Sequence, residues 1–256
     1  MTMSFEFLPH GRKHSEVGLY FWRFQQEGIN LLDPNTLSTL TLEECRSIFR
    51  ADNRDVEIPL LEARLQIMHE HATILMNDFD GCFTTCIKVC ASSAVKLLHL
   101  VCDKFPSFRD RAIYKERHGM LNFALSELLR AQILIADLWL AFKGKSYGHF
   151  SDIDALTAFA DYRVPQVLAY FGVLHYDDDL MLKLKKRSSG SVWEVEIRGV
   201  CLQAVEKTQE LLSREGDRQT ICNSVTADNF LWLYRRQFAK EVEAAMPMHR
   251  TRCIYY

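Results

Sequence analysis

The sequence predicts an all-α protein, an irregular multi-helix domain, and three observations support this fold class. The 256-residue chain contains only 11 Gly and 6 Pro, so few tight turns are expected. Hydrophobic residues make up 48% and charged residues 25%, which is typical of a globular protein and excludes a wholly disordered chain. Apolar residues recur at steps of three and four over most of the chain, whereas extended patterns are scarce.

Helix signals follow one another from residue 41 onward. Thr41 and Glu44 have the spacing of a capping box, which predicts a short helix beginning at this point. Later helices are indicated by apolar stripes, by caps, by Pro at a helix start and by Gly after a helix end. We predict them at residues 61–79, 94–105, 125–140, 165–171, 180–187, 191–212 and 226–245, with a brief extended segment at 172–176.

No stretch rich in Pro, Gly or Ser marks a linker between domains. The one predicted boundary is therefore a change in the strength of the helix signals, at residue 40. Residues 1–40 carry the weakest helix signals and are expected to be irregular. Residues 41–256 are expected to form a single all-α domain. A chain of this length buries enough surface to need no disulfide or metal to hold its core.

The overall charge limits the classes of partner. The formal net charge is −2 and the isoelectric point is about 6.5, so a broad nucleic-acid footprint of Lys and Arg is not expected. A small phosphorylated ligand needs only one or two local cations and is compatible with this charge. No apolar run approaches the roughly 20 residues that cross a bilayer, so we predict no membrane contact.

The eight cysteines are predicted to be reduced thiols. No CxxC pair occurs and no secretory leader is apparent, so we predict a cytoplasmic protein. Cys82, Cys86 and Cys90 recur every four residues and would share one stripe of a helix. They could bind a metal, but burial as small apolar residues is the simpler interpretation, and we predict no metal site.

The first candidate for chemistry is the stretch around Asp152. Ser151 and Asp154 have capping-box spacing and Asp152 would be the first helical residue, so capping is a sufficient structural interpretation. The functional interpretation is that the helix dipole keeps Asp152 ionised while Phe150 supplies an aromatic platform. A fixed carboxylate beside an aromatic ring suits catalysis on a ribosyl group, because it can stabilise an oxocarbenium-like centre or activate water.

The second candidate is the start of the last predicted helix. Asp228 and Asn229 lie there, where capping is again the structural interpretation. Trp232 follows one turn later, on the same side as Asp228. From the residues alone, a structural role and a ligand-binding role for this turn both stay open.

Nine phrases of the sequence resemble the queuosine salvage protein family, the queuosine 5′-phosphate N-glycosylase/hydrolases. The three that carry the candidates are Phe-Ser-Asp-Ile-Asp at 150–154, Phe-Ala-Asp-Tyr-Arg-Val-Pro-Gln at 159–166 and Asp-Asn-Phe-Leu-Trp at 228–232. The other six are at residues 48–52, 58–62, 105–110, 130–139, 193–199 and 249–256. The phrases occur in the family's order, and the resemblance extends from about residue 18 to the last residue.

This resemblance implies an all-α fold similar to that of helix-hairpin-helix DNA glycosylases. It implies hydrolysis of the N-glycosidic bond of queuosine 5′-monophosphate, with release of the base queuine for salvage in tRNA modification. By the resemblance, Asp152 is the catalytic carboxylate, Phe150 stacks on the base and Asp228 binds the base. Neither a metal nor an organic cofactor is implied.

Two further residues are included in the predicted site. Asn229 stands next to Asp228, where the family usually has Tyr. Arg163 is predicted to bind the phosphate or to order the pocket, and an internal salt bridge with Asp161 or another carboxylate is the alternative. Leu233 replaces an Asp that usually ends the same family motif, so a polar contact to the ligand is expected to be lost.

Members of the family usually carry a further N-terminal helical segment with a substrate-contacting His. We expect residues 1–40 to be a truncated remnant of it, which together with Leu233 predicts weak or absent turnover. The alternative function is therefore a catalytically impaired isoform or paralogue that acts as a binding or regulatory protein. Action on DNA bases is disfavoured by the net charge of −2. The predicted partner is a small nucleotide, without direct nucleic-acid contact, and the oligomeric state is left open.

Overall fold

The computed structural model describes residues 28–50, 59–109, 112–113, 124–125, 129–185, 192–215 and 223–248. The chain divides into two compact units, Met1–Ala91 and Ser92–Tyr256. The predicted boundary at residue 40 stays a prediction, since residues 1–27 are not among those described. Within the remainder of the segment expected to be irregular, Pro34–Thr39 forms a helix.

The first unit contains four described helices, and the first two of them begin at a residue whose side chain caps the helix. They are α1 (Pro34–Thr39), α2 (Leu42–Ile48), α3 (Leu61–Asp78) and α4 (Phe83–Val89). The predicted capping box begins α2: the Thr41 hydroxyl accepts from the Glu44 N–H at 3.2 Å, and the Glu44 carboxylate accepts from the Thr41 N–H at 2.7 Å. Helices α1 and α2 pack on α3, and the core of the unit is formed by Leu40, Cys45, Ile48, Leu61 and Leu65.

The second unit carries seven described helices and little other regular structure. The helices are α5 (Ala94–Lys104), α6 (Leu129–Ala141), α7 (Arg163–Tyr170), α8 (Asp178–Lys185), α9 (Val192–Glu215), α10 (Ser224–Gln237) and α11 (Ala239–Ala245). One-turn 3-10 helices lie at Pro106–Phe108, Ser146–Gly148 and Ile153–Ala155, and strands β1 (Ala112–Ile113) and β2 (Ala124–Leu125) pair antiparallel. The all-α class is confirmed, whereas the likeness to helix-hairpin-helix glycosylases stays a prediction.

Helix α7 lies at the centre of the second unit. Six of its eight residues are buried, and it packs against α9, α10 and α11. Its apolar side chains share a core with Cys201 and Val205 of α9 and with Leu231 of α10. An eight-residue helix is marginal alone, so this burial rather than helix propensity holds α7 in place. The chain just before α7 is thereby anchored to the core.

Two predicted helix boundaries are wrong. The helix expected over 226–245 is divided into α10 and α11, because Phe238 leaves the helical conformation with φ −107° and ψ 34°. The helix expected over 125–140 begins at Leu129, and Leu125 lies in β2. Neither break is marked by Pro or Gly, so the apolar stripe alone concealed both.

The extended segment expected at 172–176 is not a strand. Gly172 has φ +74°, and the N–H groups of Val173 and Leu174 donate to the carbonyl oxygen of Leu168 at 2.9 and 3.2 Å. These bonds satisfy a carbonyl in the last turn of α7, so the segment ends this helix. The prediction of Gly172 as the residue just beyond the helix is confirmed.

Candidate active site

A glycine positions the chain that leads into the candidate site. Gly148 lets the turn Ser146–Gly148 lie directly on α6, because a Cβ at residue 148 would be 2.5 Å from the Leu138 carbonyl oxygen and 2.6 Å from the Phe142 Cβ. Phe150 follows two residues later and is only 5% exposed. The close approach of backbone to helix therefore fixes the start of the segment that carries Phe150 and Asp152.

The Asp152 carboxylate binds the N-terminus of helix α5. Its Oδ1 accepts from the Ala94 N–H at 2.5 Å, and its Oδ2 accepts from the Ser93 hydroxyl at 2.7 Å. A longer contact of 3.4 Å joins Oδ2 to the Val95 N–H. These backbone groups belong to the first turn of α5, where N–H groups have no acceptor within the helix. Asp152 supplies that acceptor from 57 to 59 residues along the chain.

This position favours the ionised form of Asp152. Partial burial raises the pKa of the carboxyl group, but the hydrogen bonds from Ser93, Ala94 and Val95 outweigh it, and the pKa lies below the ordinary value of 3.8. The positive end of the α5 dipole acts in the same direction. Asp152 is therefore a carboxylate at neutral pH, held by its hydrogen bonds in one orientation.

The capping box predicted from Ser151 and Asp154 is not formed. The Ser151 hydroxyl donates to a backbone carbonyl in the loop before α5 at 3.3 Å, and Asp154 accepts from the Asn223 side-chain amide at 2.8 Å. Asp152 is not a helical residue either, since it precedes the turn Ile153–Ala155 and makes no side-chain capping bond to it. Both acids bind parts of the second unit that are distant in sequence, which no local rule detects.

The bond between Asp154 and Asn223 connects the Asp152 segment to helix α10. Asn223 begins α10, and its side-chain oxygen accepts from the Thr226 N–H at 2.9 Å. The same side chain donates to Asp154, so one amide both caps α10 and binds the segment before it. This contact joins the segment that carries Asp152 to the helix that carries Asp228.

Asp228 lies in the second turn of α10 and Asn223 caps this helix, so of the two interpretations left open for Asp228 the capping one is wrong. Asp228 is 5% exposed, and its Oδ1 accepts from the Phe159 N–H at 2.7 Å. Burial raises the pKa of this carboxyl well above 3.8, the Phe159 bond offsets part of the rise, and the nearby Asp161 and Asp137 add to it. Among the described residues, Oδ2 has no hydrogen-bond partner.

Two further side chains, which the sequence pattern did not single out, hold the extended chain that follows Asp152. Gln132 of α6 accepts from the Thr157 N–H at 2.9 Å, and Arg198 of α9 donates from Nε to the Ala160 carbonyl at 2.8 Å. Gln132 is 5% exposed, so a polar residue within the apolar stripe of α6 was the available signal for it. Arg198 carried no such signal, because exposed arginines are common on long helices.

Arg163 and Asp161 do not form the salt bridge considered as an alternative. The Asp161 carboxylate instead accepts from the backbone N–H groups of Arg163 and Val164 at 2.6 and 3.0 Å, which caps α7. The Arg163 guanidinium lies over the rings of Tyr162 and Trp232, at 5.1 and 5.4 Å from their centroids. Trp232 is on α10, so Arg163 is brought to the same helix as Asp228.

Helix α10 therefore brings Asp228, Asn229 and Arg163 together, and one hydrogen bond joins it to the segment that carries Asp152. It carries Asp228 and the half-buried Asn229, it contacts Arg163 through Trp232, and it binds the Asp152 segment through the bond from Asn223. In the described ranges, no group of three His, Cys, Asp or Glu side chains could hold a metal ion. No helix in those ranges combines the length and the apolar content that crossing a bilayer requires.

A buried acid and an ionised acid at a helix N-terminus, both on an all-α scaffold, agree with the class that the sequence resembles. Comparison with known proteins identifies that class. The sequence profile of the family "Queuosine salvage protein" matches residues 15–256. The chain belongs to the queuosine salvage protein family.

Individual relatives carry a more specific name. The chain is 41% identical over 242 residues to the "Queuosine 5′-phosphate N-glycosylase/hydrolase" of Bos taurus, covering 91% of this chain and 69% of the relative. It is 40% identical over 241 residues to the protein of the same name from Mus musculus, with the same coverage. The protein of that name from Sphaerobacter thermophilus is 37% identical over 237 residues, again covering 91% and 69% of the two chains.

Proposed function

We propose that this chain is an N-glycoside hydrolase that releases queuine from queuosine 5′-monophosphate. The observation that carries the proposal is its similarity to proteins of that activity, at 41% identity over 91% of the chain for the Bos taurus relative. The bacterial relative supports the same function at 37% identity. The mainly helical second unit supplies a fixed, ionised carboxylate of the kind that this reaction needs.

In this proposal Asp152 stabilises the sugar in the transition state. The bond between the anomeric carbon and the base breaks with its electron pair leaving on the base, and positive charge develops on the ribose. Water then adds to the anomeric carbon, and the base takes up one proton, giving queuine and ribose 5-phosphate. A carboxylate with a lowered pKa is a weak base, so it suits electrostatic stabilisation better than proton abstraction.

We assign the base to the surface between Phe150 and helix α10. The Phe150 ring would stack on queuine, and Asp228 would accept a hydrogen bond from it through Oδ2, the oxygen that the Phe159 N–H does not use. Asn229, next to Asp228 and half-buried, is a further polar contact in this proposal. Fixing the base at Asp228 and the sugar at Asp152 would orient the bond to be broken.

The test is to incubate the purified chain with queuosine 5′-monophosphate and to separate the products by chromatography. We expect equal amounts of queuine and ribose 5-phosphate. Adenosine 5′-monophosphate is the matched control, and it should stay intact because it lacks the substituents of queuine. Failure to release queuine from a folded preparation would contradict the proposal, as would equal cleavage of both nucleotides.

Two substitutions favour a second candidate, a family member that binds the nucleotide without turning it over. Asn229 and Leu233 stand where the family motif usually has Tyr and Asp, and Leu233 lies one turn beyond Asn229 on the same face of α10. Losing a contact that strengthens in the transition state lowers a rate by roughly 10²–10³.

We expect the Leu233→Asp variant to release queuine at least ten times faster than the unmodified chain. The physical reason is a restored polar contact to the substrate, and the measurement is the rate of queuine release at saturating nucleotide. Leu212→Asp, a change at an exposed leucine of α9, is the matched control and should leave the rate unchanged. A rate that Leu233→Asp does not raise would exclude this substitution as the cause of weak turnover.

A cytoplasmic location is part of the proposal. All six cysteines in the described ranges are free thiols, in keeping with the cytoplasmic location expected from the sequence. Location, independence from metal and organic cofactors, and the absence of direct nucleic-acid contact stay predictions. Addition of a chelator to the assay tests the independence from metal, and queuine release should not change.

A further inference from the structure

Two arginine side chains stack on one tryptophan of helix α10. The guanidinium carbon of Arg236 is 4.8 Å from the centroid of the Trp232 ring, and that of Arg163 is 5.4 Å from the same centroid. Arg163 also lies 5.1 Å from the centroid of the Tyr162 ring. Each contact is within the range of a cation–π interaction, which holds a guanidinium flat against a ring and leaves its edge available.

Neither guanidinium donates a hydrogen bond or forms an ion pair among the residues that the structure describes. Other arginines differ in this respect, since their side chains donate to carbonyl or carboxylate oxygens. These are Arg50, Arg64, Arg109, Arg198, Arg214 and Arg235. A guanidinium has five N–H donors, and within the described part of the chain those of Arg163 and Arg236 are not used by any acceptor.

The two positive charges also repel each other. Both lie within 5.4 Å of one ring centroid, so they are separated by no more than about 10 Å, close to the Debye length at 0.1 M salt. Asp161 attracts Arg163 without forming an ion pair with it, and its carboxylate is already used by the backbone N–H groups that begin α7. A bound anion would relieve the repulsion and use the planar donors, which match the oxygens of a phosphate.

The position of this pair along α10 suits a nucleotide. Trp232 is four residues beyond Asp228, so the two side chains lie on one face of the helix at about 6 Å along its axis. Asp228 is the residue proposed to bind the base. A ligand bound at both points would place its anionic group one turn from the base, along α10.

We propose that Arg163 and Arg236, held against Trp232, bind the 5′-phosphate of the substrate and give the protein its preference for the monophosphate over the nucleoside. This inference rests on the proposed function, which supplies the substrate. It assigns a specificity role to Arg236, an exposed residue of α10, and gives Arg163 the phosphate role rather than that of ordering the pocket.

The test compares two substrates that differ only in the phosphate. We would measure kcat/KM with queuosine 5′-monophosphate and with queuosine for the unmodified chain, Arg163→Ala and Arg236→Ala. Each variant should lose about ten- to a hundredfold with the monophosphate and less than threefold with the nucleoside, the range expected for one charged hydrogen bond. Arg214→Ala is the matched control, because Arg214 is an exposed arginine of α9 whose partner is Glu210.

The outcomes separate the inference from the proposed function. Equal losses with both substrates would show a structural role for the arginines, and unchanged ratios would show no role, so either result would overturn the inference. If the unmodified chain releases queuine from neither substrate, the proposed function fails first. Calorimetric titration with ribose 5-phosphate then decides the phosphate site by itself, since binding must be measurable and must weaken at least tenfold in both variants.

Charge-conserving variants distinguish the stacked guanidinium from simple positive charge. Arg236→Lys keeps the charge but loses the planar donors and the flat contact with Trp232. We expect it to recover only part of the preference for the monophosphate. Full recovery would indicate that charge alone attracts the phosphate, in which case the preference of the unmodified chain should also disappear at 1 M salt.

Discussion

Asp152 shows how a single carboxylate can be made ready for chemistry by groups that serve another helix. Three donors at the start of α5, the Ser93 hydroxyl and the N–H groups of Ala94 and Val95, hold both of its oxygens. The carboxylate has about four lone-pair positions, so one direction stays open to a ligand. The same bonds that cap α5 therefore fix the charge and the orientation of the proposed catalytic group.

We expect the Asp152→Asn variant to lose queuine release. We also expect its free energy of unfolding to be about 1 kcal/mol lower than that of the unmodified chain. The amide carries no charge to stabilise the sugar, and it has only one oxygen to accept from Ala94, Ser93 and Val95. Rates of queuine release and urea denaturation measure the two effects.

The matched control for this variant is Asp33→Asn. Asp33 also begins a helix, α1, where it accepts from the Asn35 N–H and the Thr36 hydroxyl. Loss of a capping carboxylate at α1 should leave queuine release unchanged. Comparable activity in the Asp152→Asn variant would reduce Asp152 to a cap and overturn the proposed mechanism.

Asp228 is predicted to make stability depend on pH. Its pKa is raised by burial above the value of 3.8 that it has when unfolded, so the unfolded chain ionises first as pH rises. The free energy of unfolding therefore falls as pH rises from about 3.8 through the raised pKa. Asp228→Asn keeps an oxygen to accept from the Phe159 N–H but does not ionise, so it should be more stable than the unmodified chain at pH 8 and equally stable near pH 3.

Thermal denaturation of both proteins across this pH range measures the effect. Asp179→Asn, a change at an exposed acid of α8, is the control and should not gain stability as pH rises. A stability difference that does not change with pH would show that the Asp228 carboxyl ionises alike in the folded and unfolded chains.

The Asp228→Ala variant should bind queuine about 1.5–3 kcal/mol more weakly than the unmodified chain, as measured by calorimetric titration.

At the scale of the elements, the turn Ser146–Gly148 has to lie directly on α6. We expect Gly148→Ala to lower the free energy of unfolding by about 1–3 kcal/mol and to slow queuine release, because the new Cβ would meet the Leu138 carbonyl oxygen and displace the chain leading to Phe150. Gly172→Ala is the control: it strains a positive φ at the end of α7, where a Cβ meets nothing within 4 Å. It should cost stability without changing turnover.

The elements differ in how far the sequence could predict them, and the reason is the range of the interaction. The capping box of Thr41 and Glu44 is local and was predicted correctly. Gly172 after α7 was predicted because only glycine readily adopts its positive φ. The interruption at Phe238 was missed, since nothing in its neighbours disfavours a continuous helix.

The candidate site was predictable in residue type but not in partnership. Asp152 was identified as a charged residue at a helix start, yet the helix is α5, which begins 58 residues earlier. The capping interpretation of Asp228 was wrong because its partner, the Phe159 N–H, lies 69 residues away. Only packing of the whole second unit brings such groups together, and the spacing of residues along the chain does not predict these long-range contacts.

At the scale of the whole second unit, a buried polar chain joins three helices. Gln166 of α7 donates to the Met246 carbonyl oxygen and accepts from Arg235 of α10, both at 2.6 Å, and Arg235 also donates to Glu243 of α11 at 2.6 Å. Gln166 is 2% exposed, so its own two bonds take the place of water that cannot reach it. The end of α11 is thereby held to the centre of the fold.

We expect Gln166→Ala to lower the free energy of unfolding by about 3 kcal/mol. It leaves a nearly buried Arg235 without one acceptor and the Met246 carbonyl without a donor, in addition to the volume lost from the core. Urea denaturation measures the change. Gln203→Ala, at an exposed glutamine of α9, should change it by less than about 0.5 kcal/mol, and a similar loss in both variants would contradict the role of the chain of bonds.

Because Asp152 caps α5 from a segment distant in sequence, hydrogen exchange at the start of α5 reports whether that segment is in place. Amide hydrogens in the first turn of a helix usually exchange with solvent rapidly, because no carbonyl precedes them to accept a bond. Those of Ala94 and Val95 are covered by Asp152, so their exchange requires the segment around Asp152 to leave α5. The exchange rates of these two amides thus measure how often the proposed catalytic group is out of place, in the absence of any substrate.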